Sequence, residues 1–390
     1  MSTHHQSHNF TVKPSKLPLN YTTINITMNT STESGLRDQC PKNIDSDSVY
    51  VIKLLLYFVA MVISFVGNTM LIYAVKRHRR MRSVTNFLIV NMAASDLFIT
   101  VFNMPTYIEI LITRNVDWIA GSLGVFLCKL VLFIQGVSVS CSVLSLTVLA
   151  IHRYLSVMHP LKKLLNRYNV KYAIVGIWLS SLLFMSPLLY ALNVVSYDGV
   201  YICDEKWGPL FDEELAPRTY TVVLFVLLYA SPLLIMAVLY GILIFNLWFR
   251  CPSEGIPNES RRQSEDILSI NRPNVEEVLR TSRSKKLVLK MLVTVVVVFA
   301  LCWIPMHVRS FLYFFDKDSY PCGLPTSLDF IGYFLGHVNS ALNPCIYMFF
   351  SEGYRQTFKG LFFSGWRKRK VKRYACAVEL RKLQLNVGNY

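Results

Sequence analysis

The chain is 390 residues long, 53% apolar and only 16% charged, with a mean hydropathy of +0.38. That balance excludes an ordinary soluble domain and points to a protein built into a bilayer. The formal net charge of +16 would suit a nucleic-acid partner, but no soluble domain carries the basic runs, so nucleic acid is excluded and the charge is read as a topology signal.

Residues 1–48 are polar and lack the apolar run of a cleavable signal peptide, which leaves the first apolar span to act as its own insertion signal. They carry four N-x-S/T sites, at Asn9, Asn20, Asn25 and Asn29, and are expected to be an extracellular, glycosylated segment. Seven spans of transmembrane length follow: Val49 to Val75, Val84 to Ile112, Gly124 to Val157, Val170 to Leu192, Tyr220 to Phe249, Leu287 to Phe315 and Leu324 to Phe350. The expected fold is thus all-α, a seven-transmembrane helix bundle over 49–350. An amphipathic eighth helix is expected over 351–363 and a basic cytoplasmic tail over 364–390.

An odd number of spans puts the termini on opposite sides, and charge decides which is which. The loop KRHRRMR (Lys76 to Arg82), the loop with Lys162, Lys163 and Arg167, and the tail run WRKRKVKR (Trp366 to Arg373) are strongly basic and are expected in the cytosol. The basic tail then ends near anionic lipid head groups.

Polar residues inside the spans are few and aligned. In the third span Gln135 and Arg153 are 18 residues apart, five whole turns, and Ser142 lies close to the same line. Such a seam is costly in hydrocarbon, so it must face other helices or water, with Gln135 toward an outer cavity and Arg153 toward an inner one. In the second span Asp96 is an ionisable group at mid-depth, where a functional role is the default. Asn68, Ser142, Asn339, Ser340 and Asn343 add neutral oxygen atoms, a set suited with Asp96 to a hard monovalent cation such as sodium. A hydrated polar network without an ion is the alternative. Pro232, Pro305 and Pro344 each remove a backbone hydrogen bond and give their spans a place to pivot.

Of nine cysteines, Cys141, Cys302 and Cys345 lie within spans and Cys251 and Cys376 face the cytosol. Cys376, beside the basic run, is a candidate for palmitoylation. Cys40, Cys128, Cys203 and Cys322 remain on the oxidising side. Cys128 with Cys203 would tie the second outer loop to the top of the third span, and Cys40 with Cys322 would tie the N-terminal segment to the last outer loop.

Taken together, Gly67-Asn68, Asn91 with Asp96, Trp118, Cys128 with Cys203, Arg153-Tyr154 before Pro160-Leu161, Trp178, Pro232 with Tyr240, Cys302-Trp303-Ile304-Pro305 and Asn343-Pro344 with Tyr347 resemble the pattern of a rhodopsin-like (class A) G-protein-coupled receptor. The likeness runs from Val49 to about Phe363. It implies a multi-pass plasma-membrane receptor with an extracellular N-terminus, with a heterotrimeric G protein and arrestin as inner partners, and no enzymatic activity. It also implies an outer ligand cavity lined by Gln135, Trp303, His307, Ser310, Tyr333 and His337. By the same likeness Asp96, Ser142, Asn339, Ser340 and Asn343 form a sodium pocket, the one resident ion expected. Trp303 would be the toggle beneath the ligand, and Arg153, Tyr154, Tyr240, Pro305, Pro344 and Tyr347 would take part in activation and coupling.

Gln135 stands where amine receptors carry a carboxylate, and His337 stands where an opsin needs its lysine, so biogenic amines have no counter-ion and photoreception is excluded. The lead-in to Gln135 and the segment CDEKW (Cys203 to Trp207) are similar to the neuropeptide FF, neuropeptide Y, orexin and tachykinin receptor cluster. The expected ligand is a short peptide, basic and C-terminally amidated, drawn in by an acidic mouth and paired with Glu205 and Glu109. A class A receptor for a non-peptide ligand is the alternative. A seven-span transporter would show internal repeats or broken spans, and an intramembrane enzyme would show a catalytic motif; neither is found. The one departure from the family pattern is His152, where an acid usually precedes the arginine. An imidazole offers a hydrogen bond but no opposite charge, so Arg153 is expected to be weakly restrained; a resting state held by packing and the sodium site unaided is the alternative.

Overall fold

The computed structural model describes residues 45–159, 165–197, 199–246, 275–316, 319–320 and 324–360, with the side chains of Tyr197 and of 275–285 left aside. The four glycosylation sites, Cys40, Cys322 and Cys376 lie outside the described residues.

Among the described residues seven long helices form the bundle: α1 (Asp47–Arg77), α2 (Val84–Thr113), α3 (Gly121–Met158), α4 (Val170–Ala191), α5 (Leu215–Phe245), α6 (Val275–Phe315) and α7 (Thr326–Phe350). Six of these helices contain stretches long and apolar enough to cross a bilayer. The remaining helix, α7, has 25 residues, a rise of about 37 Å. Its lower apolarity comes from His337, Asn339, Ser340 and Asn343, all of them buried inside the bundle. The pattern on α1 shows what selects the inward face. Tyr57, Ala60, Ser64, Gly67, Asn68 and Leu71 are buried at helical spacing, while Val51, Leu55, Phe58, Val62 and Phe65 face outward, as a lipid-bathed helix requires.

Two helices change their winding just before a proline. In α2 the stretch Ile99–Asn103 is a π turn closed by Met104 N–H donating to Ile99 O, and Pro105 follows. In α5 the stretch Val226–Ala230 is closed by Ser231 N–H donating to Val226 O, and Pro232 follows. A proline cannot donate to the carbonyl one turn back, and a wider turn ahead of it absorbs the missing bond. Each π turn rotates everything on its outer side relative to a regular helix.

Helices α5 and α6 begin earlier than the apolar runs alone predict, at Leu215 rather than Tyr220 and at Val275 rather than Leu287. For α5 the cause is Asp212, whose Oδ1 accepts from the backbone N–H groups of Glu214 (2.9 Å) and Leu215 (2.7 Å) and so satisfies free donors at the helix start. The same bonds hold the Asp212 carboxyl below the usual carboxylate range.

Between α4 and α5 lies a feature the expected all-α architecture lacks, an antiparallel hairpin of β1 (Leu192–Tyr197) and β2 (Val200–Glu205) in the register Leu192↔Glu205 to Tyr197↔Val200. Gly199, just before β2, has a φ of +86°, as a tight hairpin turn favours. The disulfide Cys128–Cys203 ties β2 to the outer end of α3. Trp118, in the loop before α3, donates its N–H to Tyr201 O at 2.7 Å, and its indole donates to Gly124 O at 2.8 Å. The hairpin is thus held to α3 both directly and through that loop. Beyond α7, residues 352–360 are helical, with Tyr354 and Phe358 buried and the Tyr354 ring 6.3 Å from that of Tyr347.

Candidate functional site

Three polar zones are stacked along the inside of the bundle. In the middle zone Asp96 is 1% exposed, and Asn343 of α7 donates to its Oδ2 at 2.9 Å. Thr100 Oγ1 donates to the Asp96 backbone carbonyl at 2.7 Å and meets Ser64 Oγ at 2.6 Å. Asn68 Nδ2 donates to the Ser340 carbonyl at 3.0 Å, joining α1 to α7. On the other flank Ser95 Oγ meets Ser142 Oγ at 2.9 Å, and Asn91 bridges Ser145 Oγ (2.8 Å) and the Trp178 indole (2.8 Å). Ser142, Asn339, Ser340 and Asn343 are all buried with Asp96. The amide oxygens of Asn68 and Asn339 are buried acceptors without a protein partner. A carboxylate accompanied by unfilled neutral oxygens fits a hard monovalent cation, the sodium set read from the sequence.

In the outer zone Gln135 of α3 accepts through Oε1 from Asn103 Nδ2 at 3.0 Å, and the same Asn103 Nδ2 reaches Val131 O at 3.0 Å. Asn103 Oδ1 is buried with no partner. Beside this amide pair stands an aromatic wall. Tyr107 packs 4.4 Å from Tyr333 and 5.1 Å from His337, and Tyr57 OH lies 3.3 Å from His337 Nδ1. On the opposite side His307 lies 4.3 Å from Tyr229 and 5.2 Å from Phe225. Trp303 is buried, a Cβ on Gly336 would lie 3.3 Å from its ring, and its indole N–H has no partner. Ser310 is turned back on its own helix, donating to Met306 O at 3.0 Å.

The outer acids divide into two groups. Glu213 accepts from the backbone N–H groups of Trp207 (3.1 Å) and Gly208 (3.0 Å), and Glu214 pairs with Arg218 at 2.7 Å, so together with Asp212 this run braces the loop. Glu205, the last residue of β2, is partly buried, and its Oε2 accepts from the Trp207 indole at 3.0 Å. Burial holds the Glu205 carboxyl above the usual carboxylate range, against the opposing pull of the Trp207 N–H, with the Asp204 charge adding to the rise. Glu109 is exposed.

Comparison with known sequences decides the family. The description "7 transmembrane receptor (rhodopsin family)" matches residues 67–347, well over half of the chain. The chain belongs to the rhodopsin family of 7 transmembrane receptors. Among its relatives are the pyroglutamylated RF-amide peptide receptors of Mus musculus and Rattus norvegicus, each 29% identical over 303 residues, covering 75% of this chain and 65% of the relative. The matched region therefore spans less than two thirds of those relatives' length. The family is one of multi-pass membrane receptors and not of enzymes.

The third polar zone of this rhodopsin-family receptor lies at the inner end of α3. Arg153 Nε is buried with no partner, and no carboxylate pairs with Arg153 among the described residues. Tyr240 of α5 stands near enough for the two to influence one another electrostatically, yet its hydroxyl is also buried and unpartnered. Tyr347 OH donates to Met92 Sδ at 3.8 Å. His152 is partly buried beside Arg153, and the Tyr154 ring packs 6.2 Å from that of His159. Pro305 and Pro344 lie inside α6 and α7 as expected.

Asn103, Tyr57, Tyr107 and Tyr229 were not singled out from the sequence. For Asn103 a signal existed: it is a polar residue two turns beyond Asp96, two positions before a proline. What the sequence does not show is the π turn that directs it at Gln135.

Proposed function

We propose that this chain is a receptor for an extracellular peptide, short, basic and C-terminally amidated, and that agonist binding in the outer cavity opens a site for a heterotrimeric G protein, and afterwards arrestin, on the inner face. The observation that carries the ligand class is the Asn103–Gln135 amide pair. It leaves Asn103 Oδ1 as a buried acceptor without a donor, and it places no charge at the depth where a cationic amine would need one. A terminal carboxamide supplies the missing N–H and a carbonyl in return, whereas a carboxylate supplies neither donor nor neutrality. The relatives named as RF-amide peptide receptors agree with that chemistry.

The outer field supports a basic peptide. Lys53, Arg114, Arg218 and Arg309 are each already paired, with Asp45, Asp47, Glu214 and Asp329 respectively. Glu109, Asp204 and Glu205 are then set against Lys129 and Lys206 in steering an approaching ligand. The extracellular placement of the N-terminal segment and the plasma membrane as its location belong to the same reading. So does a sodium ion held by Asp96, Ser142, Asn339, Ser340 and Asn343, which would favour the resting bundle.

The test is nucleotide exchange on a panel of G proteins in membranes expressing the full chain, with a synthetic peptide ending in Arg-Phe-NH2 and its free-acid twin. The amide is expected to stimulate exchange and the acid to be about 100-fold weaker, as loss of a buried hydrogen-bond match with an added charge requires. Equal potency of the two would remove the carboxamide assignment.

A further inference from the structure

Arg309 of α6 and Asp329 of α7 meet across the outer end of the bundle, Nε to Oδ1 at 2.6 Å. The two are unequally placed. The arginine side chain is 18% exposed and the aspartate 39%. The guanidinium lies 4.6 Å over the Tyr333 ring and 5.7 Å from that of Tyr313, and its stem runs past Gly332, where a Cβ would sit at ordinary contact distance, 3.5 Å, from Arg309 Cδ. Asp329 spends only Oδ1 on this contact, and no bond to Oδ2 is recorded among the described residues. Tyr333 in turn packs against Tyr107, so the pair borders the aromatic wall of the ligand cavity.

We propose that Asp329 is the carboxylate that takes the cationic side chain of the ligand, and that Arg309 is a built-in stand-in for that side chain, displaced when the ligand arrives. The proposal rests on the basic-peptide reading above and moves the pairing away from Glu205 and Glu109, which keep a steering role. Glu205 is already engaged by the Trp207 indole, and the exposed Glu109 side chain has no partner among the described residues to hold it in one orientation. Asp329, by contrast, is partly desolvated and fixed in direction by a guanidinium, so a ligand guanidinium finds a carboxylate whose ordering cost has already been met. Exchanging one guanidinium for another also removes the ion pair between α6 and α7. Ligand recognition is thereby linked to release of the outer half of α6, the part of the helix beyond Pro305.

The test is a double-mutant cycle between receptor and ligand, read as agonist potency in nucleotide exchange and as surface-normalised binding, with the full chain in membranes. The probes are the Arg-Phe-NH2 peptide and its twin with citrulline in place of arginine, which keeps the shape and removes the charge. Citrulline is expected to cost about 10- to 100-fold on the natural chain and little or nothing further on Asp329→Asn, as for two partners of one charge-assisted contact. Arg309→Gln, by removing the internal competitor, is expected to raise the potency of the arginine peptide about tenfold and to leave the citrulline peptide behind. Because the charge is removed from the ligand, the two peptides are compared on one and the same receptor each time, and surface-normalised binding cancels any loss of folded variant. A citrulline penalty that is the same on Asp329→Asn as on the natural chain, or that disappears on Glu205→Gln instead, overturns the assignment. So does an Arg309→Gln variant that loses potency for both peptides equally. Silence of the natural chain toward both peptides at every G protein overturns the ligand class itself and this inference with it.

Discussion

Gly67 of α1 stands so close to Pro344 of α7 that a Cβ on the glycine would come within 2.6 Å of the proline Cγ. The next residue, Asn68, donates to the Ser340 carbonyl one turn before that proline, so the glycine sets the distance at which α1 and α7 exchange a hydrogen bond. Gly67→Ala must separate the helices or shift the kink, and either stretches that bond. A loss of about 1–3 kcal/mol is expected, as for overpacking elsewhere. Gly336→Ala, whose Cβ would meet only the edge of the Trp303 ring at 3.3 Å, should cost less. Thermal unfolding of the detergent-solubilised chains measures both, and a Gly67→Ala chain as stable as the natural one would refute the close approach.

The hairpin carries a pH dependence of definite sign. Glu205 keeps its proton to higher pH in the folded chain than the ordinary value of 4.5, because burial outweighs the Trp207 N–H. The folded state therefore binds more protons than the unfolded one between those two values. Stability falls as pH rises from about 4.5 through the raised value, and is level beyond it. Glu205→Gln removes the titrating group while keeping an oxygen for the Trp207 indole. Melting temperatures across this window should fall with pH in the natural chain relative to the variant; parallel curves would show that Glu205 is not desolvated.

The helices were legible because hydrocarbon imposes one simple requirement, a run of apolar residues with its polar groups on one face. That requirement gave the spans, the seam from Gln135 to Arg153 and the burial of Asp96. The hairpin was missed, because a reading of the chain as helical spans leaves no place for the two short β-rich runs on either side of Gly199. Two cross-helix polar pairs, Asn103 with Gln135 and Arg309 with Asp329, were not legible. Asn103 lies in the π turn before Pro105 when it meets Gln135, and Arg309 reaches Asp329 from a neighbouring helix, 20 residues away in the chain. Both depend on how the helices are rotated against one another, which residue spacing does not encode.

The middle zone predicts an effect of sodium on agonist binding. If the carboxylate of Asp96 and the unfilled oxygens of Asn68 and Asn339 hold an ion only in the resting bundle, sodium lowers agonist affinity in competition with an impermeant control cation. Asp96→Asn keeps a hydrogen-bond partner for Asn343 and removes the charge, so affinity should become insensitive to sodium. Titration of agonist binding in sodium and in N-methylglucamine decides it, and a sodium effect that survives in Asp96→Asn would place the ion elsewhere.

At the inner end of α3 the missing acid has a visible counterpart. Arg153 has a buried Nε without a partner and no carboxylate among the described residues, and the neighbouring His152 supplies no opposite charge. Tyr240, the aromatic neighbour on α5, holds a hydroxyl that is equally unpartnered. A buried guanidinium so poorly matched favours the resting arrangement by less than an ion pair would, and leaves a larger fraction of unliganded receptor in the signalling state. His152→Asp places a carboxylate beside Arg153. If that pair is worth ~1.4 kcal/mol in the resting state alone, the active fraction falls about tenfold while it is small. Basal nucleotide exchange per receptor at the cell surface is the measurement, made on the natural chain, on His152→Asp and on His152→Asn, which keeps a polar group without the charge. A fall in the aspartate variant alone is expected. No basal exchange in the natural chain, or an equal fall in both variants, would show that Arg153 needs no anion in this receptor.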